Sequence, residues 1–242
     1  MFNLKFRNDR FFEIIFLSKE RICYSLDIQS NYEPNYVIAQ NVVQYGKIGS
    51  GKTETIRSIV EKAVEYYGED NVNAVVNTSG SPYKILSDGI DNKLVQILIF
   101  DDATVESIDK SFLKKYFRIR HLYKDKTGNK NGYIITIFNT HRFHTLQKEI
   151  RSSIDIGIWR SSPTSPYDQS IIRKFVGDDG IEDLNILEEY SFRDPNWNSI
   201  SLFTSRKSKG LIKLDLAKKN YITDISTKTG KDFSFNFNIF KS

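Results

Sequence analysis

Eight consecutive residues, Gly46-Lys47-Ile48-Gly49-Ser50-Gly51-Lys52-Thr53, constrain the fold of this chain more than any other stretch. They satisfy the pattern G-x-x-x-x-G-K-[ST], and their context fits it: an extended apolar run, Val37 to Tyr45, leads in, and a helical pattern follows. In that pattern Ile56, Ile59, Val60, Ala63, Val64 and Tyr67 recur at helical spacing, with Gly68 as a stop. Glycines let the backbone close around a phosphate so that successive N–H groups face its oxygens, and the following helix adds its positive end. Lys52 is then placed to reach the β- and γ-phosphates of a nucleotide, and the Thr53 hydroxyl to ligate Mg²⁺. Residues Gly46 to Thr53, together with Glu54 at the helix start, are the candidate nucleotide-binding residues.

A strand–loop–helix unit of this kind needs a sheet to lie on, and two further apolar runs supply one. Leu94 to Asp102 (Leu-Val-Gln-Ile-Leu-Ile-Phe-Asp-Asp) reads as a central parallel strand covered on both faces and ending in two carboxylates. After a P-loop this is the Walker B position. Asp101 would hold the Mg²⁺ shell through water, and Asp102 would orient or deprotonate the water that attacks the γ-phosphate. The competing reading is a pair of acids capping a helix that starts at Thr104 and runs to Tyr123. Tyr133 to Phe138 is a second buried strand, which delivers Asn139, Thr140, His141 and Arg142 to the sheet edge that carries the P-loop. A polar side chain there can touch the γ-phosphate or the attacking water. His141 and His144 do not make a metal pair on this reading, because a catalytic zinc takes three protein ligands and no third lies nearby.

A chain of 242 residues can bury one sizeable core, and the expected division is an N-terminal β extension (1–35), an ATPase core (36–216) and a C-terminal tail (217–242). The aromatic and β-branched residues of the first segment, Phe2 to Phe16, predict one or two short strands. Two helices, Tyr167 to Val176 and Ile181 to Tyr190, are separated by Gly177-Asp178-Asp179-Gly180. A hairpin then pairs Ser199–Thr204 with Gly210–Leu216, and residues Phe233 to Phe240 alternate with period two as a further strand or edge-docking arm. Asp125 to Gly132 lacks the closing glutamate of a calcium loop and reads as a turn. A net charge of +5 is a mild lean toward polyanionic partners. The single cysteine, Cys23, forms no intramolecular disulfide, and no apolar run is long enough to span a bilayer, so a soluble, cytoplasmic protein is expected.

The order of parts resembles that of additional-strand P-loop ATPases of the RecA-like or AAA+ kind, which set an extra strand between the nucleotide-binding and acid-bearing strands. The stretch from Asn139 to Gly157 resembles the segment of FtsK–HerA-type ATPases that runs Thr-Gln-Arg, a Leu-Pro-Lys-like stretch, then Ile-Arg-Ser-Asn. Arg120-His121 before the sensor strand is similar to the Arg-His step of the DNA-packaging ATPases of large DNA viruses, and the resemblance covers about Val37 to Arg160. It departs at the sensor glutamine, which is His141 here, so that either His141 or Asn139 takes the role, and at the second acid, Asp102 instead of glutamate. The implied fold is α/β: a mostly parallel RecA-like sheet flanked by helices, with β additions at the termini. The implied function is an ATP-hydrolysing, Mg²⁺-dependent translocase of double-stranded DNA that packages a viral or plasmid genome. It would form a homo-oligomeric, hexameric ring, with a capsid or assembly partner. The alternative is an AAA+-type replication initiator or helicase-loading ATPase. A ring also implies an arginine finger, for which Arg120, Arg142 and Arg151 are candidates.

Overall fold

The apolar runs on either side of the P-loop form the centre of one sheet in the computed structural model, which describes residues 4–19, 22, 37–77, 82–101, 108–123, 132–193, 200–214 and 221–224. The strands are β1 (Val37–Tyr45), β2 (Val72–Asn77), β3 (Val95–Phe100), β4 (Gly132–Thr140), β5 (Ile156–Trp159), β6 (Ile200–Ser205), β7 (Lys209–Lys213) and β8 (Ile222–Asp224). Among the described residues they lie in the order β7-β6-β5-β1-β4-β3-β2-β8. Strands β5 to β8 by way of β1, β4, β3 and β2 are all parallel; β6 and β7 add antiparallel at one edge. Every residue of β3 and β4 is buried, as strands covered on both faces must be.

Helices α1 (Asn8–Ile15) and α2 (Lys52–Tyr67) cover one face. There Ile56, Ile59, Val60 and Ala63 of α2 join Val42, Ile99, Ile137 and Ile158 of the sheet in one core. The other face is covered by α3 (Tyr83–Asp88), α4 (Lys110–Tyr116), α5 (Lys148–Ser152) and α6 (Pro166–Arg193), whose Phe112, Tyr116, Ile150, Ile172 and Leu184 pack on Val43, Phe100, Phe138 and Trp159. Each isoleucine fully buried this way is worth about 1.5–3 kcal/mol, so these two layers hold the sheet edge that carries the P-loop in a fixed geometry. Within α6, Gly177 at φ +77° breaks the helix at the Gly-Asp-Asp-Gly step that the sequence singles out.

Two expected elements differ. The N-terminal segment is a helix where strands were expected: Phe11 and Ile15, and Phe12 and Phe16, are four residues apart and stack along one helical side, so spacing prevails over the β-preference of their side chains. The helix hooks onto β7, where Asn8 Nδ2 donates to the Lys213 carbonyl (2.7 Å) and Asn8 Oδ1 accepts from the Lys213 amide (3.0 Å). The helix expected from Thr104 to Tyr123 is, over its described residues, only α4 followed by a 3-10 turn, Ile119–His121. Asp109 starts it, its carboxylate accepting from the Phe112 amide at 2.7 Å, an N-cap that the apolar pattern alone does not reveal. The sheet also recruits Ile222–Asp224 from the segment assigned to the tail. Asp102, Thr104, Cys23, most of the Asp125–Gly132 turn and the alternating run 233–240 lie outside the described residues. No helix among the described residues is long and apolar enough to cross a membrane.

Candidate nucleotide-binding site

The strand order decides which side chains meet at the loop. Because β4 lies between β1 and β3, Gln44 pairs in register with Asn139 and Tyr45 with Thr140, and Phe138 pairs with Phe100, so that Asp101 follows beside Asn139. Asn139 Nδ2 donates to Asp101 Oδ1, which joins the metal-binding candidate to the sensor candidate directly. Asn139 is 2% exposed, and its own Oδ1 has no hydrogen-bond partner among the described residues. Residues 38 apart in sequence are thus adjacent because of the crossover, and the sensor candidate Asn139 touches the acid. His141 lies two residues further, past the end of β4, half-buried.

The loop itself leaves β1 at Gly46, whose amide donates to the Thr140 carbonyl at 3.3 Å, and turns where Ser50 N donates to Lys47 O at 3.2 Å. Gly49 and Gly51 both stand at φ +77°, a left-handed conformation that costs a residue with a Cβ roughly 1–2 kcal/mol, which explains the glycines at these positions. Gly51 precedes the first turn of α2, so the N–H groups of that turn face the space above the loop. Lys52 Nζ donates to the carbonyls of Gly46 (2.8 Å) and Lys47 (2.9 Å) and so lies along the loop. Thr53 is exposed at the helix start, and Glu54 is paired with Arg57 at 2.6 Å. The hydroxyl of Thr53 and the carboxylate of Asp101 are hard oxygen donors of the kind Mg²⁺ takes.

On the opposite flank the loop is held by β5. Arg160 directly follows β5, aligned beside Gly46, and is only 8% exposed. Its Nε donates to the Ser50 carbonyl at 2.6 Å and its Nη1 to the hydroxyls of Ser201 (3.2 Å) and Thr55. Burial lowers its pKa from 12.5 to about 10, which leaves it cationic at neutral pH. The Ser161 hydroxyl accepts from the Lys47 amide at 2.9 Å, and Lys47 is ion-paired with Glu188 of α6, whose other oxygen accepts from the Ser162 amide at 3.1 Å. A cavity of about 270 Å³ lies here, lined by Lys47, Ser50, Arg160, Leu187, Glu188 and Ile200 among others. Sequence reading missed Arg160, Ser161 and Glu188; the one available signal was a charged residue immediately after an apolar strand.

The sheet order and loop geometry can be set beside proteins of known structure. No family model matches the chain, and no curated protein matches its sequence. Among solved structures, the genome packaging NTPase B204 from Sulfolobus turreted icosahedral virus 2, in complex with sulfate, is similar over 74% of this chain and 98% of that one, at a TM-score of 0.51 and 15% identity. The fold is that of a RecA-like P-loop NTPase. ATPases 2 and 3 of EssC from Geobacillus thermodenitrificans also match, at a TM-score of 0.48 and 14% identity, over 75% of this chain and 40% of that one.

Within this P-loop NTPase fold the arginine candidates part company. Arg120 sits on the 3-10 turn that leads to Tyr123, whose ring lies against Gly132 at the start of β4, the end of the sheet away from the loop. Arg151, on α5, flanks Ile150, which packs on the face opposite α2. Neither is brought to the loop of its own chain; Arg142 is exposed just past β4. His144 is engaged by buried Asp168, which accepts from its amide (2.6 Å) and lies 3.0 Å from Nδ1. Among the described residues no group of three or more His, Cys, Asp and Glu residues is arranged to hold a metal ion.

Proposed function

We propose that this chain is an ATPase that translocates double-stranded DNA, packaging a viral or plasmid genome. The observation that carries the hydrolytic reading is the Asn139–Asp101 hydrogen bond beside the P-loop, since a module that only binds nucleotide has no need of a sensor joined to a metal-binding acid. ATP would lie with its phosphates under the first turn of α2 and its nucleoside toward the cavity beside Arg160 and Glu188, the flank that β3 and β4 leave free. Lys52 would leave the two loop carbonyls for the β- and γ-phosphates, exchanging neutral acceptors for charged ones. Thr53 and Asp101 would hold Mg²⁺, which when bound neutralises phosphate charge. Asp102 would orient the attacking water, and Asn139 or His141 would contact the γ-phosphate.

The DNA-translocating part rests on the FtsK–HerA-like segment from Asn139 to Gly157 and on the fold shared with a protein whose name is genome packaging NTPase. Since Arg120 and Arg151 lie away from the loop of their own chain, an arginine finger among them would come from a neighbouring subunit of a ring. The test is ATP turnover with and without double-stranded DNA, together with sizing of the nucleotide-bound particle. Stimulation by DNA and a ring-sized particle are expected; turnover indifferent to DNA overturns the translocase reading.

A further inference from the structure

One buried group remains without a task. Gln44 is fully buried, two residues before the P-loop, in a strand whose neighbouring positions are Val42, Val43 and Tyr45, and both atoms of its carboxamide lack a hydrogen-bond partner among the described residues. A buried amide left unsatisfied at both ends is costly, and an apolar residue would fill the place at no such cost. Its register explains what it faces. Gln44 pairs with Asn139 on one side and Ile158 on the other, and strand alternation puts it on the α2 side of the sheet with Val42, Ile137 and Ile158. Asp101, Asn139 and Gln44 therefore stand in one row across β3, β4 and β1, beneath the start of α2. The first two are bonded, while Asn139 Oδ1 and the carboxamide of its register partner Gln44 both lack a partner among the described residues.

We propose that Gln44 is a positioning residue for the sensor asparagine, an inference that rests on the ATPase reading above. A carboxamide can present either its NH₂ or its oxygen to the γ-phosphate, and only the NH₂ is attracted to it. Once Asp101 serves as a ligand for Mg²⁺, its bond to Asn139 would give way and Asn139 Nδ2 would be free to turn. Gln44 Nε2 then donates to Asn139 Oδ1, which fixes Nδ2 toward the phosphate. The bond forms by side-chain rotation between two residues already in register, with no movement of the sheet.

The test is Gln44→Met, of similar length without polar atoms, measured for ATP turnover, nucleotide affinity and melting temperature, alone and in an Asn139→Ala background. A positioning role predicts that kcat falls about tenfold, a modest effect for a misplaced reacting group, while affinity for a fluorescent ATP analogue is kept and the melting temperature does not fall. In the Asn139→Ala background the same change has no further effect on kcat. Unchanged kcat overturns the proposal, as does an equal loss of kcat in both backgrounds, which is the mark of a merely structural residue. Gln44→Leu serves as the second variant should Gln44→Met fold poorly, and must show the same pattern. If the wild-type protein binds nucleotide but never hydrolyses it, the ATPase reading fails and this inference with it; normal wild-type turnover with an indifferent Gln44 sinks this inference alone.

Discussion

Arg160 holds the P-loop from the β5 side, and its replacement offers a quantitative test of that geometry. A pKa drawn from 12.5 to about 10 by burial corresponds to about 3 kcal/mol against the charged guanidinium, at 1.36 kcal/mol per tenfold. Against this stand hydrogen bonds to the Ser50 carbonyl and to the hydroxyls of Thr55 and Ser201, worth about 1.5–3 kcal/mol each when the donor is charged. Arg160→Met removes both the burial cost and the bonds, so the fold should lose about 1.5–6 kcal/mol. Arg160→Lys keeps a buried charge but brings a point donor in place of a fork, so the Ser50 carbonyl, reached by Nε, and the Thr55 and Ser201 hydroxyls, reached by Nη1, are not all satisfied together. The conservative change should therefore be no milder than the drastic one. Urea denaturation of the nucleotide-free protein, read from midpoints at constant slope, measures both. Both variants should also bind a fluorescent ATP analogue at least about tenfold more weakly, roughly 1.4 kcal/mol, since the Ser50 carbonyl and the first turn of α2 are no longer held. An Arg160→Lys protein as stable as wild type beside an unfolded Arg160→Met would refute this account, because the charge itself, not the geometry of its bonds, would then be what matters.

Lys52→Ala should abolish ATP turnover with a change in stability of about 1 kcal/mol, the net worth of its bonds to two loop carbonyls; residual hydrolysis near the wild-type rate would show that the site lies elsewhere. Asp109 caps α4, and the Phe112 amide and then the Ser111 hydroxyl hold its carboxyl below the ordinary 3.8. Its stabilising effect is thus complete above the ordinary value and lost as pH falls through the lowered one, so Asp109→Ala should melt earlier than wild type at pH 7 and together with it at strongly acid pH. A mixture of Lys52→Ala chains with Arg151→Ala or Arg120→Ala chains should hydrolyse ATP faster than either variant alone if the finger is supplied by a neighbour. Mixtures no better than the sum of their parts, for both arginines, would exclude Arg120 and Arg151 as fingers supplied by a neighbour.

What the sequence disclosed was whatever a short window can carry. The glycine cradle, Lys52 and Thr53 are a local pattern, and the unbroken apolar runs of β3 and β4 announce strands buried on both faces; each is a statement about neighbours in sequence. The helix α1 was misread because Phe11, Phe12, Ile15 and Phe16 satisfy strand composition and helix spacing together, and only the partner surface of α2, β6 and β7 decides between them. Arg160 and Gln44 are single polar residues in or beside apolar strands. Pattern reading has no way to assign them, because Arg160 meets Ser50 across 110 residues of chain and Gln44 meets Asn139 only through the crossover that inserts β4 beside β1.

That insertion also divides the labour around the loop. On the β4 flank the contacts involve groups able to rearrange when phosphate arrives: a carboxylate bonded to a carboxamide, with amide atoms beside it that have no partner among the described residues. On the β5 flank they involve groups already hydrogen-bonded to the loop and its helix, Arg160 on Ser50, Thr55 and Ser201 and the Ser161 hydroxyl on the Lys47 amide. A loop fixed on one side and adjustable on the other can report the state of the terminal phosphate without losing its hold on the nucleotide. Hydrolysis would then be felt along β3 and β4 toward the helices of the far face, where Arg151 lies on α5.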